Sequence, residues 1–108
     1  MEHTCLLNLP DIPEPLRLSR LEPPEGVAPV VIDTDASNEI DDQFALVHAL
    51  LSPEKLDVQA VYAAPYTGRD SEFPGEGMEN SYEEIHRIFE KMAIPSDGRI
   101  FRGADAYL

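Results

Sequence analysis

The sequence predicts an α/β fold built on a parallel sheet. Three observations carry it. Val30-Val31-Ile32 is a β-branched run with Gly26 and Pro29 upstream. A segment of helical period follows it, and Leu56-Asp57-Val58-Gln59-Ala60-Val61-Tyr62-Ala63 then has strand character. Strand, helix and strand within about 35 residues make a βαβ unit, whose crossover is right-handed.

Composition narrows the class. A chain of 108 residues has room for one small domain or a piece of a larger one. Its 43% hydrophobic and 27% charged residues lie in the range of soluble globular proteins. No apolar run approaches the ~20 residues of a membrane-spanning helix. Eight basic against 21 acidic residues leave a formal charge of −13. Such a chain has little with which to track a phosphate backbone or an anionic membrane, so neither nucleic acid nor membrane is an expected partner. The carboxylate surplus instead permits a divalent cation. A single cysteine, Cys5, excludes an intrachain disulfide and a Cys-rich zinc site. Met1-Glu2-His3-Thr4 has no basic n-region and Cys5-Leu6-Leu7 is too short for an h-region, so a cytoplasmic location is the default.

Residues 1–28 read as a Pro-rich leader ahead of a domain over 29–108. Five of the ten prolines fall in the leader: Pro10, Pro13, Pro15, Pro23 and Pro24. Proline blocks helix, so an extended or irregular leader is expected. It could wrap over a domain through Leu16, Leu18 and Leu21, or be disordered. The run at Val30 suits a strand buried on both faces, as parallel sheets require. Ile40, Phe44, Val47 and Leu51 then form one helical stripe, closed by Ser52-Pro53. After the second strand comes a loop from Pro65 to Glu76, long enough to suggest function. A second helix is expected from about Asn80, with Ser81 and Glu84 as a capping box. Met78, Tyr82, Ile85, Phe89 and Met92 share its apolar stripe, and Ala93-Ile94-Pro95 end it. Arg99-Ile100-Phe101-Arg102 begins a third strand, stopped by Gly103.

Chemistry concentrates between the first strand and the first helix. Asp33, Asp35, Asp41 and Asp42 lie within ten residues, at the end of a sheet where α/β proteins bind ligands. Gathering like charges is costly unless solvent or a cation compensates, and a hard cation such as Ca²⁺ or Mg²⁺ takes oxygen ligands. The plain alternative is structural: Asp41 and Asp42 favour the helix dipole, while Asp35, Ser37 or Asn38 caps. Asp33 and Asp35 at the end of an apolar strand exceed what capping needs. An EF-hand loop fails, because Asn38 and Phe44 stand where Gly and Glu are required and a strand precedes the loop. The Asp33-x-Asp35 pair resembles that of haloacid-dehalogenase phosphatases, though Ser37-Asn38 replaces their usual apolar pair and Asp41-Asp42 has no role there.

The stretch VVIDTDASNEIDDQFAL resembles the signature of the inosine/uridine-preferring nucleoside hydrolase family, Asp-x-Asp-Pro-Gly-x-Asp-Asp after a first strand. Ala36-Ser37-Asn38-Glu39 stands in place of Pro-Gly, with two extra residues between the aspartate pairs, as in a divergent branch. Gly77-Met78-Glu79-Asn80-Ser81 and Phe101-Arg102-Gly103-Ala104 extend the likeness. It implies a parallel-sheet nucleoside hydrolase-like fold of which this chain holds the N-terminal βαβαβ portion. It also implies hydrolysis of N-ribosidic bonds in a small nucleoside or related riboside. Asp35 would ligate Ca²⁺ and act as general base toward a metal-bound water. Asp42 would be a second ligand, Asp33 would support the site or touch the ion, and Asp41 would hold the ribose hydroxyls.

The same resemblance sets expectations about completeness. The chain would span about the first third of a family domain. The remaining Ca²⁺ ligands and ribose-holding residues would lie past Leu108, and a homo-oligomer would belong to the full-length form. The isolated chain is then expected to bind Ca²⁺ poorly and to hydrolyse nothing. Ala64-Pro65-Tyr66-Thr67 occupies the place of the family's Gly-Asn substrate contact. Asn80 is a candidate substitute in substrate binding, with helix capping as its plain reading. Glu39 could approach the metal and Tyr66 could stack on a base, or both are ordinary loop residues. His48 and His86 read as core-edge residues, and His3 carries no argument. The carboxylates from Asp70 to Glu90 read as a solvated face. The superfamily also includes carbohydrate-binding relatives with a similar Ser-Asn-Glu-x-Asp-Asp segment, so a sugar-binding module without catalysis is the alternative.

Overall fold

A computed structural model describes residues 10–108. His3 and Cys5, with the apolar Cys5-Leu6-Leu7 stretch, lie outside the described residues. The elements run α1 (Glu14–Leu21), β1 (Ala28–Thr34), α2 (Ile40–Leu50), β2 (Leu56–Ala63), α3 (Pro74–Lys91) and β3 (Ile100–Arg102). The three strands form one parallel sheet in the order β1-β2-β3, which makes the chain α/β. Val30 pairs with Val58 but Val31 pairs with Ala60, so Gln59 is an extra residue that bulges β2. Among the described residues, no helix is long and apolar enough to cross a membrane.

Both packed helices share one face of the sheet. Leu46 of α2 and Met78, Ile85, Ile88 and Phe89 of α3 are buried in one cluster with Val58, Val61, Ala63 and Ile100. The strands alternate accordingly. Val30, Ile32 and Thr34 turn toward the helices, while Pro29, Val31 and Asp33 turn away and are exposed. The expectation of a strand buried on both faces is therefore corrected: Val31 is 61% exposed. Strand order 1-2-3 with both connections on one side leaves the second face bare among the described residues.

Helix α2 differs from the expectation in its buried stripe. Ile40 and Phe44 are 67% and 69% exposed, and Leu51 is exposed as well. Leu46, Ala49 and Leu50 face inward instead, with Val47 at the margin. Apolar residues lie on two sides of this helix, so periodicity alone could not choose between them. His48 is exposed, and His86 is half-buried with its ring edge-on to Tyr82 at 4.6 Å.

The leader is not wholly irregular, because α1 is helical. Pro15 sits in its first turn, where the missing N–H costs nothing. No residue of α1 is buried, and Leu16, Leu18 and Leu21 are exposed. The other long helix, α3, begins at Pro74, well before Asn80. Pro74 suits a first turn in the same way, and extended Phe73 precedes it. Ser81 is therefore mid-helix and fully buried, and the expected capping box does not form. The C-terminus falls as expected. The Ile94 N–H bonds the Phe89 carbonyl, with Ala93 in a left-handed conformation at φ 54°.

Candidate functional site

The acidic segment turns at the carboxyl end of β1. The Ala64 N–H donates to the Thr34 carbonyl at 2.9 Å, tying the ends of β1 and β2 together. The chain then reverses over residues 35–38, with the Asn38 N–H on the Asp35 carbonyl at 2.8 Å and Ala36 fully buried beneath. The Ser37 N–H donates to the Ser81 hydroxyl at 3.2 Å, which anchors the turn to α3.

Each predicted site residue has a defined place. Asp33 is exposed on the bare face of the sheet, on the side of β1 opposite Thr34. Asp35 is half-buried, and its carboxylate accepts from the Asn38 side-chain amide at 3.0 Å. Asp41 is exposed and Asp42 half-buried in the first turn of α2, where the helix dipole favours both. The Thr34 hydroxyl donates to Asp42 at 2.5 Å. Asn80 lies inside α3 and does not cap it; its amide donates to the Asp70 carbonyl at 3.1 Å.

These residues do not gather in one hollow. Asp33 and Asp42 border a groove along β1 and α2 with Thr34 and Leu46. Asn80 borders a second hollow with Ser37, Asp70 and Glu84. Ser37 and Asp70 also border a third, shared with Asn38, exposed Glu39 and Arg69. The loops after β1 and β2 thus meet above the sheet, where Arg69 sets a cation among the carboxylates.

Sequence reasoning missed the residue that supports this meeting. Tyr66 is not a loop tyrosine open to a ligand but is buried, 3% exposed. Its hydroxyl donates to the Asp70 carboxylate at 3.0 Å. Burial pushes the Tyr66 phenol up from its ordinary pKa; hydrogen bonds with Ser37 and Asn80 pull it down, and Asp70 pushes it further up. Buried Ser71 places its hydroxyl 2.9 Å from the Tyr66 carbonyl and 2.8 Å from that of Phe73. A Cβ on Gly77 would collide with the Tyr66 carbonyl oxygen, so glycine lets α3 approach this loop. That glycine was the available signal, since one inside a helical pattern asks for a packing reason.

Ca²⁺ accepts about six to eight oxygen ligands. Among the described residues no three His, Cys, Asp or Glu side chains gather as a metal-holding group. Asp35 and Asp42 are bonded to Asn38 and Thr34. As arranged, these side chains do not make a Ca²⁺ cage. What they offer is a set of oriented carboxylates, able to accept protons or sugar hydroxyls at the edge of a parallel sheet. Comparison of the chain with protein-family models, curated proteins and solved structures found no match.

Proposed function

We propose that the segment Asp33–Asp42 is the catalytic edge of an N-ribosyl hydrolase of the nucleoside hydrolase type. The observation that carries this reading is the position of the aspartates. They follow the first strand of a parallel sheet, where ligands bind in α/β folds, and their stretch VVIDTDASNEIDDQFAL resembles the Asp-x-Asp-Pro-Gly-x-Asp-Asp signature with two extra residues between the pairs. Asp35 takes a proton from the attacking water, and Asp41 accepts hydrogen bonds from ribose hydroxyls. Asp33 and Asp42 add negative charge against the positive charge that develops on the sugar as the N-ribosidic bond opens. Asn80, on the neighbouring helix, contributes to holding the substrate.

Ca²⁺ is the cation this reading implies, and its chemistry would be to polarise the attacking water. Asp35 and Asp42 would hold it, and among the described residues no third His, Cys, Asp or Glu side chain joins them. On this reading the 108-residue chain by itself is expected to release no ribose. A second reading is sugar binding without turnover, supported by the segment Ser37-Asn38-Glu39-Ile40-Asp41-Asp42, which is similar to that of carbohydrate-binding relatives of the same superfamily.

Release of free ribose from inosine and uridine separates the two. The gene product from its native source is assayed with Ca²⁺ and with a chelator. Calcium-dependent ribose release supports the hydrolase. Saturable sugar binding with no release supports the binding module, and neither response rejects both.

A further inference from the structure

We propose that Arg69 and Asp70, on the turn after β2, form a contact for the vicinal hydroxyls of an uncharged sugar. The contact deepens the proposed function, and rests on it for identifying that sugar as the ribose of the substrate. Both residues border a hollow of about 460 Å³ with Ser37, Asn38 and Glu39, from the turn that follows β1. That volume lies within the ~300–1,000 Å³ of small-ligand sites.

Asp70 is held in place by the chain itself. The Gly68 N–H donates to the Ser71 carbonyl at 3.0 Å and the Ser71 N–H to the Gly68 carbonyl at 3.4 Å, which closes a tight turn around Arg69 and Asp70. The hydroxyl of buried Tyr66 donates to the Asp70 carboxylate at 3.0 Å, and the Asn80 amide donates to the Asp70 carbonyl at 3.1 Å. A Cβ on Gly68 would lie 3.1 Å from the Asn38 side-chain oxygen, so the two loops meet closely at this glycine. A polar group fixed in advance loses less on binding than one that must first be ordered.

The charges of the hollow select the chemistry of its ligand. An ionised carboxylate offers about four acceptor sites, and Tyr66 uses one of those on Asp70. The Arg69 guanidinium only donates, and it forms no ion pair among the described residues, even with adjacent Asp70. An anion in the hollow would meet Glu39 and Asp70. A cation would meet Arg69, and among the described residues no three His, Cys, Asp or Glu side chains gather to hold a metal. Vicinal hydroxyls satisfy both residues, because each hydroxyl can donate to Asp70 and accept from Arg69. Asn38 joins this contact to the aspartates, since it borders the hollow and its amide donates to the Asp35 carboxylate at 3.0 Å.

The test uses the native gene product, with free D-ribose as the binding probe and inosine with Ca²⁺ as the turnover probe. Asp70→Asn keeps an acceptor for Tyr66 but loses the charge, and Arg69→Met removes the donors. Each is expected to raise the dissociation constant of ribose and the KM for inosine about tenfold, with kcat changed by less than about twofold, as for a lost hydrogen bond to a charged group. Tyr66→Phe, which frees the Asp70 carboxylate, is expected to move both constants in the same direction. A merely structural role would lower the unfolding midpoint and leave both constants where they were. Ribose affinity and KM unchanged in Asp70→Asn and Arg69→Met overturn the contact and leave the hydrolase standing. Ribose affinity that falls in these variants of a product that releases no ribose from inosine supports the contact and removes the hydrolase. A native product that neither binds nor releases ribose overturns both.

Discussion

The hydroxyl of Thr34 donates to the carboxylate of Asp42 across 2.5 Å, joining the last residue of β1 to the first turn of α2. Thr34 is buried, so this bond fixes the acidic turn from inside. It also orients the Asp42 side chain.

Thr34→Val keeps the shape and removes the donor. The expected loss is about 1–2 kcal/mol, because the bond involves a charged acceptor in a part-buried place. Urea denaturation measures it, and Thr34→Ser is expected to retain most of the stability.

The alkaline limb of stability is expected to depend on Tyr66. Its folded pKa lies above that of the unfolded chain, chiefly through burial. The folded state therefore holds the proton more tightly. That contribution is complete below the unfolded value near ~10 and is lost as pH rises through the folded value. Denaturation midpoints measured between neutral and strongly alkaline pH should fall steeply for wild type. Tyr66→Phe should start lower by about 1 kcal/mol for the lost Asp70 bond and fall less.

Much of the fold was legible because local signals agreed. Leu56–Ala63 is a strand over the residues its composition marks, and the helix opening at Ile40 follows its apolar spacing. What could not be read was which surface each element buries. Ile40, Phe44 and Leu51 satisfy helical spacing as well as Leu46, Ala49 and Leu50 do, and only tertiary contact chooses. The start of α3 was hidden by Pro74, Gly75 and Gly77, which read as a loop yet here serve a first turn and two close approaches. For the site, the clustering of the aspartates was visible in the sequence. That Asp33 and Asp42 border one groove while Asn80 borders another was not, because it depends on how α2 and α3 pack against the sheet.

Gly77→Ala tests the support beneath the loop after β2. The new methyl would meet the Tyr66 carbonyl, a backbone atom that cannot step aside. Helix propensity alone would reward the change by up to ~1 kcal/mol. The account predicts the opposite sign, a loss of about 1–3 kcal/mol by thermal or urea unfolding, as expected for overpacking.

Ala93→Gly carries the reverse expectation. Ala93 is exposed and holds φ 54° at the end of α3. The left-handed region costs a non-glycine residue roughly 1 kcal/mol, so glycine should raise stability by about that amount. A shift of the unfolding midpoint to higher denaturant, with unchanged slope, is the readout.

The most direct test of the central claim is Asp35→Asn in the native gene product, read as ribose release from inosine and uridine. Asparagine keeps the size of the side chain and removes its ability to take a proton. The account predicts a Ca²⁺-dependent release that falls by about 10²–10⁴-fold in the variant, the range for loss of a general base. Release that persists undiminished in Asp35→Asn, or a native product that releases no ribose under any condition, would contradict it.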